Sequence, residues 1–152
     1  MERIYYRIFK FLRILIYVIY RFESFFKSRR IVSETDYKDL NLMFKSFEKK
    51  HPYSTNLPFL HFKAELHRAK KKKDYGVPDN IIKMGSVIFV KNEHTDENFT
   101  IQLVYPNQEQ LNTFKLSVFS AVGMVLFAQK SGNTVSCFEG ERKIKLKILS
   151  IV

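Results

Sequence analysis

The sequence predicts an α+β protein: an antiparallel helical hairpin, in effect a short coiled coil, followed by a β-rich module with one short helix packed on a twisted antiparallel sheet. Three observations predict it. Apolar residues recur at intervals of three and four between Ser33 and Ala69. Apolar and polar residues alternate in runs between Ile81 and Val152. Turn residues, Gly132-Asn133 and Glu139-Gly140, punctuate the second half. The chain divides into a basic amphipathic leader (1–30), the hairpin (31–76) and the β-rich module (77–152).

The leader is peculiar in composition. An apolar run, Ile14–Tyr20, is surrounded by Arg3, Arg7, Lys10, Arg13 and Arg21. On a helical wheel Arg3, Arg7, Lys10 and Arg21 form one basic stripe. Seven uncharged residues are too few for a spanning helix, which needs roughly 20, and no small-residue cleavage site follows them. Two readings stand: an amphipathic segment lying on an anionic membrane surface, or an extension that adds nothing to the fold.

The first helix starts at Ser33-Glu34-Thr35-Asp36, where Ser33 caps free amides and the acids complement the helix dipole. Tyr37, Leu40, Phe44 and Phe47 mark its buried face. It stops near Lys50, ahead of His51-Pro52. The second begins at Pro58, suited to a first turn, and buries Phe59, Phe62, Leu66 and Ala69. Lys70-Lys71-Lys72-Lys73 is expected to close it, either as a solvated last turn or as a patch facing nucleic-acid phosphates or an acidic surface without sequence specificity. No aromatic platform is evident beside it.

Ile81–Val90, Phe99–Tyr105, Phe114–Phe119, Thr134–Phe138 and Arg142–Val152 read as strands, with a short helix within Val122–Lys130. The last strand is clearest: Ile144, Leu146 and Ile148 alternate with Lys143, Lys145 and Lys147.

Charge is unevenly spread over the 152 residues. Residues 1–30 carry 8 Lys/Arg and 2 acids (+6), 31–78 carry 10 and 6 (+4), and 79–152 carry 8 and 7 (+1). A basic chain meets nucleic acid, anionic membrane or acidic protein. Cys137 is the single cysteine, which excludes an internal disulfide and fits a reducing, intracellular setting. It reads as a packing residue. His61 and His67 lie six apart, about 120° around a helix, which argues against a shared metal site. No metal or cofactor is implied.

Several motifs in order resemble one family. Met84-Gly85-Ser86, Leu103-Val104-Tyr105-Pro106, Ser117-Val118, Val122-Gly123, Leu126 and Gly132 are similar to the C-terminal domain of Gre-type transcription elongation factors and of the regulator of nucleoside diphosphate kinase (Rnk). Leu-Val-Tyr-Pro and Ala64–Ala69 lean toward the Rnk branch. The resemblance implies an FKBP-like fold and a partner, bacterial RNA polymerase, with the module at the rim of the secondary channel and the hairpin pointing into it. It implies a cytoplasmic monomer whose docking residues are Ser120, Ala121, Val122 and Gly123. The family usually has proline at Ala121, glycine at Ala128 and aspartate at Asn133.

Gre factors assist transcript cleavage with two carboxylates at the hairpin tip, which hold a second Mg²⁺. Here residues 49–57 contain no Asp or Glu, and Glu48 stands alone on the flank. The chain is therefore read as a non-enzymatic binder. Peptidyl-prolyl isomerase chemistry, which an FKBP-like fold brings to mind, has no recognisable active-site pattern here, and the chain has no Trp.

Overall fold

The computed structural model describes residues 29–51, 56–110 and 113–152. Strand β1 (Ile31–Ser33) leads directly into helix α1 (Glu34–Lys50), and α2 (Leu57–Arg68) follows. The Ser33 side chain accepts from the Asp36 amide at 3.0 Å, and Asn56 caps α2 by accepting from Phe59. Both caps satisfy amides that a helix start leaves unbonded.

The two helices contact each other along their apolar faces. Phe44 meets Phe59 and Phe62 edge-on, and Glu48 pairs with Lys63. Leu40, Phe44, Phe59, Phe62 and Leu66 are buried, and Tyr37 and Phe47 are partly so, as the spacing predicts.

After α2 the structure departs from the sequence reading. Lys70–Lys73 does not extend the helix. Ala69 turns the backbone to ψ 148°, and β2 (Lys70–Lys72) pairs in parallel with β1. The register is Ile31 to Lys70, Val32 to Lys71 and Ser33 to Lys72. The lysines are extended because β1 offers their backbone a partner, which outweighs local helix preference.

The second half forms a five-stranded sheet of β3 (Val87–Asn92), β4 (Asn98–Val104), β5 (Lys115–Ser117), β6 (Thr134–Glu139) and β7 (Arg142–Ile151), in the order β5-β4-β3-β7-β6. The expected first strand is shorter than Ile81–Val90. Ile81 makes only an isolated bridge to Lys130, and a turn at Met84-Gly85 precedes Val87. The sheet is also not wholly antiparallel, since β5 runs parallel to β4. Helix α3 (Ala121–Leu126) packs over β6 and α2.

One core joins all of this. Ile88, Val90, Leu103, Leu146 and Ile148 from the sheet meet Leu126 and Phe127 around α3, and Phe44, Phe62 and Leu66 from the helices. Phe119 ties the parts together: its ring stacks on Phe44 at 5.2 Å and stands edge-on to Phe59 at 5.1 Å. Cys137 lies on β6 facing this core, and burial pushes its thiol pKa up, which suits a packing residue.

Candidate functional site

The turn before α3 is built from backbone constraints. Ser120 is the cap: its hydroxyl accepts from the Gly123 amide at 3.0 Å and donates to the Ser117 carbonyl at 2.7 Å. A Cβ on Gly123 would lie 2.1 Å from the Ser117 oxygen and 2.9 Å from Val118 Cα. Glycine is therefore required where the helix crosses the preceding strand end. Gly123 itself is buried, so the surface that the turn offers is made by Ser120, Ala121 and Val122, all half-buried.

The far end of α3 holds a residue that sequence reasoning assigned elsewhere. Arg30, counted with the leader, reaches the C-terminus of α3 and donates to the carbonyls of Met124 at 3.2 Å and Phe127 at 2.9 Å. It also faces Glu65 on α2, which Arg68 holds from the other side. A guanidinium on terminal carbonyls complements the negative end of a helix. Burial pushes the Arg30 pKa down, and Glu65 opposes that shift. The signal was not local: nothing near Arg30 in sequence marks a helix 90 residues away.

Two acids on α1 seat the motif segments of the sheet module. Asp36, buried, accepts from the Met84 amide at 3.2 Å, and Asp39 accepts from the Tyr105 hydroxyl at 3.2 Å. Burial raises the Asp36 pKa above the usual carboxylate range, against the hydrogen bonds from Met84 and at Ser33. The Tyr105 phenol is also pushed up, first by burial and then by Asp36 and Asp39. Met84 and Tyr105 belong to the motifs that carry the family resemblance, and their contacts here are to the helices.

The lysine tract is placed with aromatic partners that the sequence reading missed. Lys71 Nζ sits 4.2 Å from the Tyr37 ring centre and Lys73 Nζ 5.9 Å from that of Tyr75. Their spacing of two puts both on one side of the extended backbone. Lys70 is exposed on the other side. Arg3, Arg7, Lys10 and Arg21 lie outside the described residues, as does the centre of the tip, 52–55.

Tyr37 hydrogen-bonds His67 Nδ1 at 3.2 Å. Among the described residues no group of three or more His, Cys, Asp or Glu is placed to hold a metal ion. Among them, no helix is long and apolar enough to cross a membrane.

Residues 77–152 match the family described as transcription elongation factor, GreA/GreB, C-term. Two curated proteins, each called transcription elongation factor GreA, are similar over 76 residues. That of Thermosipho melanesiensis is 33% identical and that of Thermosipho africanus 34%. The matched stretch is 50% of this chain and 49% of each relative, so the chain spans about half the length of the relatives it matches. A solved structure, a prokaryotic transcription elongation factor GreA/GreB from Nitrosomonas europaea, superposes with a TM-score of 0.68 at 21% identity, over 82% of this chain and 98% of that one. At that identity the likeness is one of fold.

Proposed function

The chain belongs to the GreA/GreB C-terminal family of transcription elongation factors, and on that premise we propose that it regulates transcription by binding bacterial RNA polymerase at the secondary-channel rim, without stimulating transcript cleavage. The observation that carries this reading is the pinned turn at Ser120–Gly123. It lies inside the family-matching segment and is rigidly held from below by the Gly123 crossing and the Ser120 cap. A surface ordered before binding loses little entropy on binding. Ala121 and Val122 are the side chains it would present.

The absence of cleavage stimulation rests on the helices. Positioning a second Mg²⁺ and its water takes two carboxylates. Residues 49–57 supply none, and Glu48 is engaged by Lys63. The pair of helices, read as the family's hairpin, is also short of free reach. Phe47 packs on Phe119 with ring centres 6.3 Å apart, and α1 ends three residues later. Three residues of helix add about 4.5 Å.

Within the family, Leu103–Pro106 and Ala64–Ala69 favour the Rnk branch, with 77–152 as an FKBP-like domain, 31–76 as the hairpin and a cytoplasmic, monomeric protein. Occupying the channel entrance against other factors is then the mode of action.

The test is a pull-down of core RNA polymerase with the full chain and with residues 29–152, which keep Arg30, followed by transcript cleavage in arrested complexes. Retention of polymerase without added cleavage is expected. No retention by either chain would remove the proposal, and stimulated cleavage would refute the part about the tip.

A further inference from the structure

We propose that the uncovered face of the five-stranded sheet binds single-stranded nucleic acid. One face of that sheet is core. The other is fixed by register: Phe138 faces Lys143, Ser136 faces Lys145, Thr134 and Lys91 face Lys147, and Thr100 faces Phe89. Cross-strand partners share a face, so Lys143, Lys145, Lys147 and Lys91 lie on one surface with Phe89 and Phe138. Phe89, Phe138, Lys143 and Lys145 are exposed on it, and Lys91 and Lys147 are half-buried.

Solubility alone does not explain the arrangement. Lysines guard exposed edge strands against unwanted pairing, yet β7 is paired on both sides, by β3 and β6. Lys91 directly opposite Lys147 is a like-charge pair that costs stability. Lys91 is relieved by Asp96 at 2.6 Å and Lys145 by Glu93 at 2.8 Å. Lys143 has no ion pair among the described residues, and Lys147 shares with Lys145 the field of the one carboxylate Glu93 without a direct bond to it. Their cost to the fold is offset if an anion lies along the row.

The row has a geometry that suits a strand of phosphates. Alternate residues of β7 repeat at about 6.8 Å, which gives successive lysines the spacing of phosphates on an extended single strand. Phe138, 51% exposed, flanks one end beside Lys143. Phe89, 41% exposed, flanks the other beside Ser150, where a register shift leaves Leu149 unpaired and exposed. Exposed rings beside a basic track are what stacking of unpaired bases requires. A duplex hides its base faces and gains nothing from the rings. This site does not rest on polymerase docking and lies apart from the α3 turn.

The experiment is fluorescence anisotropy of labelled single-stranded RNA, single-stranded DNA and duplex DNA with the full chain over a salt series. Single strands of either sugar should bind more tightly than duplex; a preference between them identifies which is the ligand. Lys143→Gln with Lys147→Gln should lower the slope of log affinity against log salt by about 1.4, at about 0.7 per phosphate. Phe138→Ala and Phe89→Ala should each weaken binding about 5- to 100-fold. Circular dichroism checks that these variants fold; if a phenylalanine variant does not, the lysine salt slope decides alone. The proposal fails if no strand binds, if duplex or poly-glutamate binds as tightly as the single strand, or if affinity survives these changes and disappears instead on converting Lys70–Lys73 to Gln.

Discussion

Arg30 donates from Nη1 to the Phe127 carbonyl at 2.9 Å, so a residue ahead of β1 closes the last turn of the helix that carries the proposed docking turn. Removing it strands carbonyls and leaves Glu65 with Arg68 alone. Arg30→Met is expected to lose about 2–3 kcal/mol of stability in urea unfolding. Arg30→Lys should recover little, since an ammonium cannot serve two carbonyls and Glu65 in one plane.

The start of α3 makes the opposite kind of prediction. Ala121 is the first helical residue, and Ser120 ahead of it has φ −68° and ψ 159°, the backbone that a following proline prefers. Ala121→Pro should raise stability by about 0.4–1 kcal/mol, through the unfolded chain. Gly123→Ala should cost more than about 3 kcal/mol, because the added carbon meets backbone that cannot move aside. Thermal unfolding of the two variants checks both signs, and the glycine variant should also lose polymerase retention.

Ala128 sits at φ +58°, in the left-handed region, with its methyl buried. The strain costs about 1–2 kcal/mol. Glycine relieves it but loses about 0.5–1 kcal/mol to unfolded-state entropy and up to about 0.8 kcal/mol of methyl burial. Ala128→Gly should therefore be neutral within about 1.5 kcal/mol, whereas Ala128→Val should destabilise by at least about 2 kcal/mol, as denaturation midpoints would report.

Asp36 predicts a pH dependence with a definite sign. Its folded pKa is raised by burial, so the folded state holds the proton more tightly than the unfolded one. Its contribution is most favourable below the unfolded value of about 3.9 and is lost as pH rises through the folded value. Asp36→Asn keeps an oxygen for the Met84 amide. It should be more stable than the parent at neutral pH, with the difference vanishing near pH 3.5. Asp74 and Glu93 work the other way. Their hydrogen bonds to Thr35 and Lys145 lower their pKa values, so they lose stability as pH falls. The comparison of parent and variant across pH isolates Asp36 from both.

Much of this fold was legible because its signals are local. Ser33 caps what it precedes, Leu40 and Phe44 repeat at helical spacing, and Ile144, Leu146 and Ile148 alternate with lysines. Lys70–Lys72 was misread because its strand exists only through Ile31–Ser33, far away in sequence. The same holds for Arg30 on α3 and for Phe119 between the helices. In the candidate site, Gly123 carried a visible signal, but the reason for it, the crossing over Ser117, needed three dimensions. Periodicity reports faces and not partners. The tyrosines under Lys71 and Lys73 were missed for that reason.

The strand order β5-β4-β3-β7-β6 has a consequence in the order of synthesis. A growing chain emits β3, β4 and β5 early and β6 later, yet nothing in the sheet joins β6 to β3 until β7 arrives and pairs with both. Until then the sheet is two fragments, and β3, with Phe89, has an open side. The helices close on local contacts first. The module is sealed by the strand that is made last among its five.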